Sequence, residues 1–182
     1  MSKGVKLHTN NRYQCGRTAA LSGDWFKYTG GDQEEPGSIM ILEPMTPNLN
    51  YFEYKIGSEC RKCAIGIGVG EREYPLYRMP GWNQNSVGYH ADDGCLFYQH
   101  GHGEEFGPTC TAGDQMGCGV DFESARSHDT VIVFFTKNQE LVGGPVRFKI
   151  PSDGLYPIIG LWSKGEGVHY LGHSRQLPRG KV

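Results

Sequence analysis

The sequence predicts an all-β domain, a β-sandwich or barrel with little or no helix. Glycine accounts for 27 of the 182 residues and proline for 10. A helix-breaking residue therefore occurs about every fifth position, which a helical bundle or coiled coil does not tolerate. Short apolar segments bounded by turn residues recur along the whole chain, as they do in all-β folds. Aromatic residues make up 12% of the chain, which supplies a core and argues against intrinsic disorder.

Each predicted strand follows from an alternating or continuous apolar pattern that ends at turn residues. Residues 51–56 alternate cleanly and place Phe52, Tyr54 and Ile56 on one face. In residues 65–69, glycines alternate with Ile and Val, which indicates a strand whose second face is closely approached. In chain order, the predicted strands are residues 25–28, 39–42, 51–56, 65–69, 86–89, 95–98, 116–122, 131–135, 141–142, 146–150, 155–161 and 168–171.

The chain is predicted to hold one domain, residues 19–174, after a polar lead-in at 1–18 and before a basic tail at 175–182. A domain of this size buries about 70% of its unfolded surface, so it needs neither a disulfide nor a metal to fold. No apolar segment near residue 1 predicts a secretion signal, and no run of about 18 apolar residues predicts a membrane span. We therefore expect a cytoplasmic or nuclear location, reduced cysteines and no membrane partner.

The charge balance argues against a general nucleic-acid binder. Lys and Arg number 18 against 20 Asp and Glu, for a net charge of −2, whereas nucleic-acid binding is typical of a basic excess or a basic stripe. Residues 79–125 contain no Lys or Arg but seven acidic residues. This segment is interpreted either as a solvated acidic face or as a surface that attracts a basic peptide or a cation.

Two short motifs resemble ligand sites but lack required parts. Residues 66–70 read Gly-Ile-Gly-Val-Gly, yet Glu71 stands where a dinucleotide site needs glycine, and no helix pattern follows. Cys60 and Cys63 have the spacing of a zinc knuckle, but the chain offers no second pair at that spacing. We therefore expect two thiols on a turn rather than a metal site.

The strongest competing hypothesis is a metal-dependent β-barrel enzyme of the cupin type that uses His90, His100 and His102. A His-x-His pair on one strand places both imidazoles on the same face, as such a site requires. However, Glu104 and Glu105 follow His102 by two and three residues, whereas cupin-type sites place the carboxylate about four or five residues on. Glycines on both sides of His102 also indicate a loop. We therefore expect no catalytic residue, no bound metal and no cofactor.

A series of short motifs stands in a characteristic order between residues 20 and 171. The motifs are Tyr51-Phe52-Glu53, Ile65-Gly66-Ile67-Gly68, Pro80-Gly81-Trp82, Ser86-Val87-Gly88-Tyr89-His90, Asp92-Asp93-Gly94, Phe106-Gly107-Pro108, Gly113-Asp114, Gly117-Cys118-Gly119-Val120, Phe134-Phe135-Thr136-Lys137-Asn138, Leu155-Tyr156-Pro157, Gly160 and Gly165-Glu166. Together they resemble the SPRY domain family, in a pattern similar to the SPRY domains of Ran-binding-protein adaptors and of SPRY-domain-containing proteins.

The resemblance implies a bent antiparallel β-sandwich of two sheets, similar to a concanavalin-like jelly roll, without catalytic activity or cofactor. It also implies a protein-interaction module, monomeric as an isolated domain, that binds a short peptide or a partner surface through loops at one edge. An adaptor that recruits a substrate, for instance to a ubiquitin ligase, fits that role by analogy alone. A purely structural domain of a larger assembly is a further alternative.

The resemblance also implies which residues bind the partner. In SPRY domains of the SOCS-box type, an early strand with its loop, a tyrosine before the Pro-Gly-Trp motif and a later Val-Trp-Gly segment hold the peptide. This sequence departs from that type at the Val-Trp-Gly segment and at an early Arg-x-Pro segment. We therefore expect the position of the binding face to be shared, but not the preference for acidic, Asn-rich peptides. Trp82 is expected mainly to be a packing anchor. The expected partner-binding residues are Tyr28, Tyr77, Arg78, Trp162, Ser163 and Lys164.

Overall fold

Two antiparallel sheets enclose the core in the computed structural model, which describes residues 6–7, 11–124 and 129–175. None of these residues is helical, so the described part of the chain has no helix that could cross a membrane. The strands are β1 (Lys6–Leu7), β2 (Tyr13–Cys15), β3 (Ala19–Ser22), β4 (Trp25–Tyr28), β5 (Gly37–Ile41), β6 (Tyr51–Ile56), β7 (Ile65–Gly70), β8 (Ser86–His90), β9 (Cys95–Tyr98), β10 (Gly103–Glu105), β11 (Gln115–Asp121), β12 (Thr130–Lys137), β13 (Glu140–Lys149), β14 (Tyr156–Leu161) and β15 (Gly167–Ser174).

The first sheet has eight strands in the order β1-β2-β5-β14-β7-β8-β9-β10, and the second has seven in the order β13-β12-β11-β6-β15-β4-β3. All neighbouring strands run antiparallel. Strands close in sequence often lie in different sheets, which is typical of a sandwich and not of a simple meander. The predicted all-β class and the bent sandwich of two antiparallel sheets are confirmed.

Most predicted strands overlap the observed ones, and β4, β6 and β9 have the predicted bounds. One prediction is wrong: the two strands predicted at residues 141–142 and 146–150 form a single strand, β13, which ends at Lys149. Gly143, Gly144 and Pro145 interrupt the apolar pattern, but β13 is an edge strand, where the missing N–H of proline needs no partner. A register shift opposite these residues, on β12, accommodates them as a bulge.

Part of the predicted lead-in belongs to the sandwich. Tyr13 pairs with Ile41 and Cys15 pairs with Ile39, so β2 extends the first sheet. The side chain of Cys15 is fully buried. Tyr13, Gln14 and Cys15 alternate apolar and polar, but three residues are too few for the alternation to indicate a strand. Residues 1–5, 8–10 and 176–182, which hold the rest of the lead-in and nearly all of the basic tail, lie outside the described residues.

The core between the sheets is rich in aromatic side chains that come from both sheets. Fully burying a side chain of this size stabilises the fold by about 1.5 to 3 kcal/mol. Most ring pairs meet edge-on or tilted, as in the contact of Tyr89 with Phe135 at 5.8 Å between centroids, whereas Phe26 stacks on Tyr170 at 5.3 Å. The buried aromatic residues of this core are Phe26, Tyr28, Phe52, Tyr54, Tyr89, Phe135 and Phe148.

Glycines on the outer face of the first sheet make room for the loop of residues 74–82. A Cβ at Gly88 would meet the backbone carbonyl of Pro80, and a Cβ at Gly160 would lie 2.8 Å from the sulfur of Met79. The loop thus lies directly on the backbone of the sheet. It carries Tyr77 and Arg78, two of the residues expected to bind a partner, so the glycine pattern positions both. The glycines that the loop covers are Gly66, Gly88 and Gly160.

Candidate partner-binding surface

The side chain of Tyr28 anchors the loop between β4 and β5, residues 29–36. Tyr28 is 1% exposed, and its hydroxyl lies 3.1 Å from the carbonyl oxygen of Glu35 and 3.2 Å from that of Gly31. The hydroxyl of Thr18 donates to the same Glu35 carbonyl at 3.0 Å. The prediction that Tyr28 contacts a partner is corrected here, because burial leaves no ring surface to touch. Tyr28 instead positions the loop.

Trp162 follows β14 and is the most prominent exposed aromatic residue near this loop. The side chain is 44% exposed. Its indole Nε1 donates a hydrogen bond of 2.8 Å to the carbonyl oxygen of Glu34, and its backbone N–H donates to the carbonyl of Ala64 at 2.9 Å. The ring is therefore fixed in orientation and still accessible at the surface.

Trp82 supports Trp162 from the side and contacts Arg78. The two indoles meet edge-on, with 5.5 Å between ring centroids and an interplanar angle of 88°. The guanidinium carbon of Arg78 lies 5.0 Å from the Trp82 ring centroid, a cation–π arrangement. The Nε of Arg78 also donates to Oδ1 of Asn83 at 2.9 Å. Because Trp82 is half-buried, packing is only part of its role, and it also supports the exposed surface.

Tyr77 lies beside Arg78 on the 74–82 loop and is 43% exposed. The loop is tied to the first sheet, because the hydroxyl of Ser38 donates to the carbonyl of Arg78 at 2.7 Å. The hydroxyl of Tyr74 donates to the carbonyl of Met79 at 2.6 Å and fixes the same turn. We call Trp162, Trp82, Arg78 and Tyr77, together with the 29–36 loop, the Trp162 surface.

Ser163 and Lys164 lie at the edge of a hollow of about 380 Å³ next to Trp162. Ser163 is only 4% exposed, and its hydroxyl has no hydrogen-bond partner among the described residues. Lys164 is exposed, as are Arg61 and Lys62 across the hollow. Asp32 and Glu59 line the same hollow, so it offers charges of both signs to a partner.

Glu166 builds one wall of this hollow and was not predicted as a site residue. Its carboxylate accepts three backbone N–H bonds, from Arg61 at 2.9 Å, from Lys62 at 2.7 Å and from Cys63 at 2.8 Å. Such bonds to a charged acceptor are strong. The carboxylate of Glu166 thereby stabilises the 60–63 turn and holds it beside Lys164. The only sequence signal was the Gly165-Glu166 motif.

The histidines of the competing hypothesis are not assembled into a metal site. His90 is 3% exposed, its Nε2 lies 2.9 Å from the carbonyl of Pro80, and its ring stacks on Phe97 at 4.1 Å. His100 and His102 are exposed, with 5.8 Å between their ring centroids. Across residues 11–124 and 129–175, no three His, Cys, Asp or Glu side chains form a group suited to a metal ion. The cupin-type arrangement is therefore not formed there.

The cysteine pair of the zinc-knuckle spacing is structural. Cys60 and Cys63 are both free thiols and both buried. The thiol of Cys60 donates to the carbonyl of Gly167 at 3.3 Å. Burial raises the pKa of the Cys60 thiol to about 12, so this thiol is protonated at neutral pH and is a poor nucleophile. Cys60 and Cys63 are thus two buried thiols at either end of the 60–63 turn.

Comparisons with known proteins agree with this architecture. Among curated proteins, the chain is 38% identical over 148 residues to the SPRY domain-containing protein 3 of Homo sapiens, covering 81% of this chain and 33% of that protein. It is 35% identical over 145 residues to the Ran-binding protein 9 of Homo sapiens, covering 79% of this chain and 19% of that protein. The chain thus spans a third or less of the length of these relatives.

Solved structures show the same fold. The crystal structure of a human SPRY domain has a TM-score of 0.78 and 36% identity, covering 85% of this chain and 94% of that one. The SPRY domain of human HERC1, with a TM-score of 0.64 over 96% of this chain and 99% of that one, is only 19% identical and shows the shared fold alone. The family model of the SPRY domain matches residues 50–172, more than half of the sequence. The chain therefore belongs to the SPRY domain family.

Proposed function

We propose that this domain binds a short peptide or a partner surface through the Trp162 surface and catalyses no reaction. SPRY domains are generally protein-interaction modules. The observation that carries the proposal is the state of Trp162, which is 44% exposed while its indole N–H is held by Glu34. An exposed aromatic ring that is already fixed loses little conformational entropy on binding, and such residues dominate interface energetics.

The neighbouring residues suggest the chemistry of the partner. An apolar or aromatic side chain would pack on the exposed face of Trp162 and on Tyr77. A polar side chain next to it would enter the hollow, where the Ser163 hydroxyl is buried and unpartnered among the described residues. Satisfying that hydroxyl on binding favours a partner with a hydrogen-bonding group at this position. Lys164 would contribute most to partners that carry a carboxylate there.

Peptide display on the wild-type domain, followed by binding measurements on variants, tests this proposal. Trp162→Ala and Tyr77→Ala each remove an exposed aromatic ring, and we expect each to weaken the selected peptide by about tenfold or more. Leu141→Ala is the matched control, because Leu141 is 37% exposed on the distant edge strand β13. Unchanged affinity in a folded Trp162→Ala variant would reject the Trp162 surface as the binding site.

The wider role is proposed on the family resemblance. We infer a monomeric adaptor in the cytoplasm or nucleus that recruits a protein substrate, for example to a ubiquitin ligase, and binds neither nucleic acid nor membrane. Affinity purification from cells with the wild type and with Trp162→Ala tests this role. A recruiting adaptor would retain its ligase partners in both and lose its substrate only in the variant. The adaptor role would be contradicted if Trp162→Ala kept the substrate as well as the ligase partners. It would also be contradicted if neither the wild type nor the variant purified with a ligase partner.

A further inference from the structure

A groove of about 490 Å³ lies where β2 begins and where β5 and β15 end. It is lined by residues 11–13, by residues 41–43 and by the end of β15. Strand β5 begins at Gly37, next to the 29–36 loop, and ends at Ile41, at the groove. The groove is therefore separate from the surface proposed above, and its function is independent of that proposal.

The side chain of His173 is buried at the groove with one nitrogen unused. It is 4% exposed, and its Nε2 lies 2.8 Å from the carbonyl oxygen of Leu49. A carbonyl only accepts hydrogen bonds, so Nε2 carries the proton, and Nδ1 of the neutral ring is an acceptor. Burial lowers the pKa of His173 and keeps the ring neutral. Nδ1 has no hydrogen-bond partner among the described residues.

Glu43 supplies a second acceptor beside this nitrogen. Its Oε2 lies 3.9 Å from Nδ1 of His173, which is too far for a hydrogen bond. At this separation, one donor nitrogen placed about 2.8 Å from Nδ1 and from Oε2 can form hydrogen bonds to both. The Glu43 side chain is 58% exposed, so a ligand approaches it from solvent. Arg12 also lines the groove and forms no ion pair with Glu43 within the described part of the chain.

We propose that this groove binds a primary ammonium group, presented by a lysine side chain of a partner protein, between Nδ1 of His173 and the carboxylate of Glu43. An ammonium group has three N–H donors and a positive charge, so it satisfies the buried nitrogen and the carboxylate together. A water molecule could satisfy Nδ1 but would leave the Glu43 charge uncompensated. The aliphatic stem of a lysine would pack along Ile41 and Leu42, which line the same groove.

A titration of the full chain with the tripeptide Gly-Lys-Gly, blocked at both ends, tests this site. The readout is the pair of imidazole nitrogen resonances of His173 in NMR spectra, with peptide up to about 10 mM. We expect a saturable shift of the Nδ1 resonance. The same peptide with norleucine in place of lysine has the stem without the ammonium and should cause none. Methylammonium and an unblocked Gly-Gly-Gly amide are expected to bind more weakly, since they lack the lysine stem.

Two charge variants give opposite expected results. Glu43→Gln removes the exposed carboxylate and should weaken the lysine peptide by about fivefold, the upper end for a solvent-exposed pair. Arg12→Ala removes a repelling cation and should tighten the same peptide. Both side chains are exposed, so both variants are expected to fold. Three results would each overturn the proposal: equal shifts with the norleucine peptide, no change at the His173 nitrogens, or unaltered affinity in Glu43→Gln. Tighter binding of methylammonium than of the lysine peptide would assign the site to small amines instead.

Discussion

The indole nitrogen of Trp162 donates a hydrogen bond of 2.8 Å to the backbone carbonyl of Glu34, although 128 residues separate the two. The sheet brings them together, because Leu161 at the end of β14 pairs with Gly37 at the start of β5. Trp162 and the 29–36 loop therefore leave adjacent strands side by side. The loop holds the ring, so residues that hold the loop are expected to influence binding without touching a partner.

Tyr28→Phe should weaken binding through the loop. The substitution removes a hydroxyl that lies within 3.4 Å of the carbonyls of Gly31, Glu34 and Glu35. We expect the free energy of unfolding to fall by about 1 kcal/mol, the usual net contribution of one hydrogen bond. Affinity for a peptide selected on the wild type should also fall, because the loop that orients Trp162 becomes more mobile. Urea denaturation and peptide titration measure the two effects.

Tyr98→Phe is the matched control for this prediction. The hydroxyl of Tyr98 donates to the carbonyl of Arg147 at 3.2 Å, near the β13 edge of the second sheet. Tyr98→Phe should lower the free energy of unfolding by a similar amount and leave peptide affinity unchanged. If both variants lose affinity equally, the effect of Tyr28 on binding comes from general stability and not from the loop.

Glu166→Gln should destabilise the fold although the two side chains have nearly the same size. The carboxylate accepts backbone N–H bonds from Arg61, Lys62 and Cys63. An amide offers only one acceptor oxygen, and its NH₂ group would face a backbone N–H. We expect a loss of about 2 to 3 kcal/mol, because charge-assisted hydrogen bonds are lost and a buried donor is left unsatisfied. Urea denaturation measures it. The exposed Glu59, in the same turn, provides the control Glu59→Gln, which should change stability by less than about 0.5 kcal/mol.

The sequence predicts much of the fold and only part of the site, for physical reasons that differ by residue. Strands such as β6 are predicted because alternation reports which face is buried. The family resemblance also selects Trp162 and Tyr77, which lie exposed at the surface. The burial of Tyr28 and the role of Glu166 are not predicted, because both depend on carbonyl or N–H groups of a distant loop. No local pattern reports such a contact, since backbone groups look the same in every residue.

Gly88→Ala should displace the 74–82 loop. A Cβ at Gly88 would meet the backbone carbonyl of Pro80, and backbone cannot move aside as a flexible side chain can. We expect a loss of about 1 to 3 kcal/mol in the free energy of unfolding, as for other overpacked sites. Peptide affinity should fall as well, because Arg78 and Trp82 are on the displaced loop. Gly144→Ala is the control, since nothing lies within 4 Å of its Cβ position, and an equal loss in both variants would contradict the explanation.

Stability should fall as the pH drops from 6.5 to 4, and His90 should cause much of the fall. The imidazole is 3% exposed, and burial lowers its pKa from 6.5 to about 4. Above pH 6.5 the ring is neutral in both the folded and the unfolded chain. Below pH 6.5, His90 becomes protonated in the unfolded chain but stays neutral in the folded chain. The free energy of unfolding therefore drops by up to about 3 kcal/mol by pH 4. Urea denaturation across this pH range measures the drop.

Two variants assign the pH dependence to individual groups. His90→Gln should make the fall shallower without abolishing it, because burial also lowers the pKa of His173. Asp92 acts in the opposite direction, since burial and the neighbouring Asp93 raise its pKa from 3.8 to about 6. The folded chain therefore takes up a proton at Asp92 before the unfolded chain does, which partly offsets the effect of His90. Asp92→Asn should steepen the fall, and a slope in His90→Gln equal to that of the wild type would show that another group controls the acid stability.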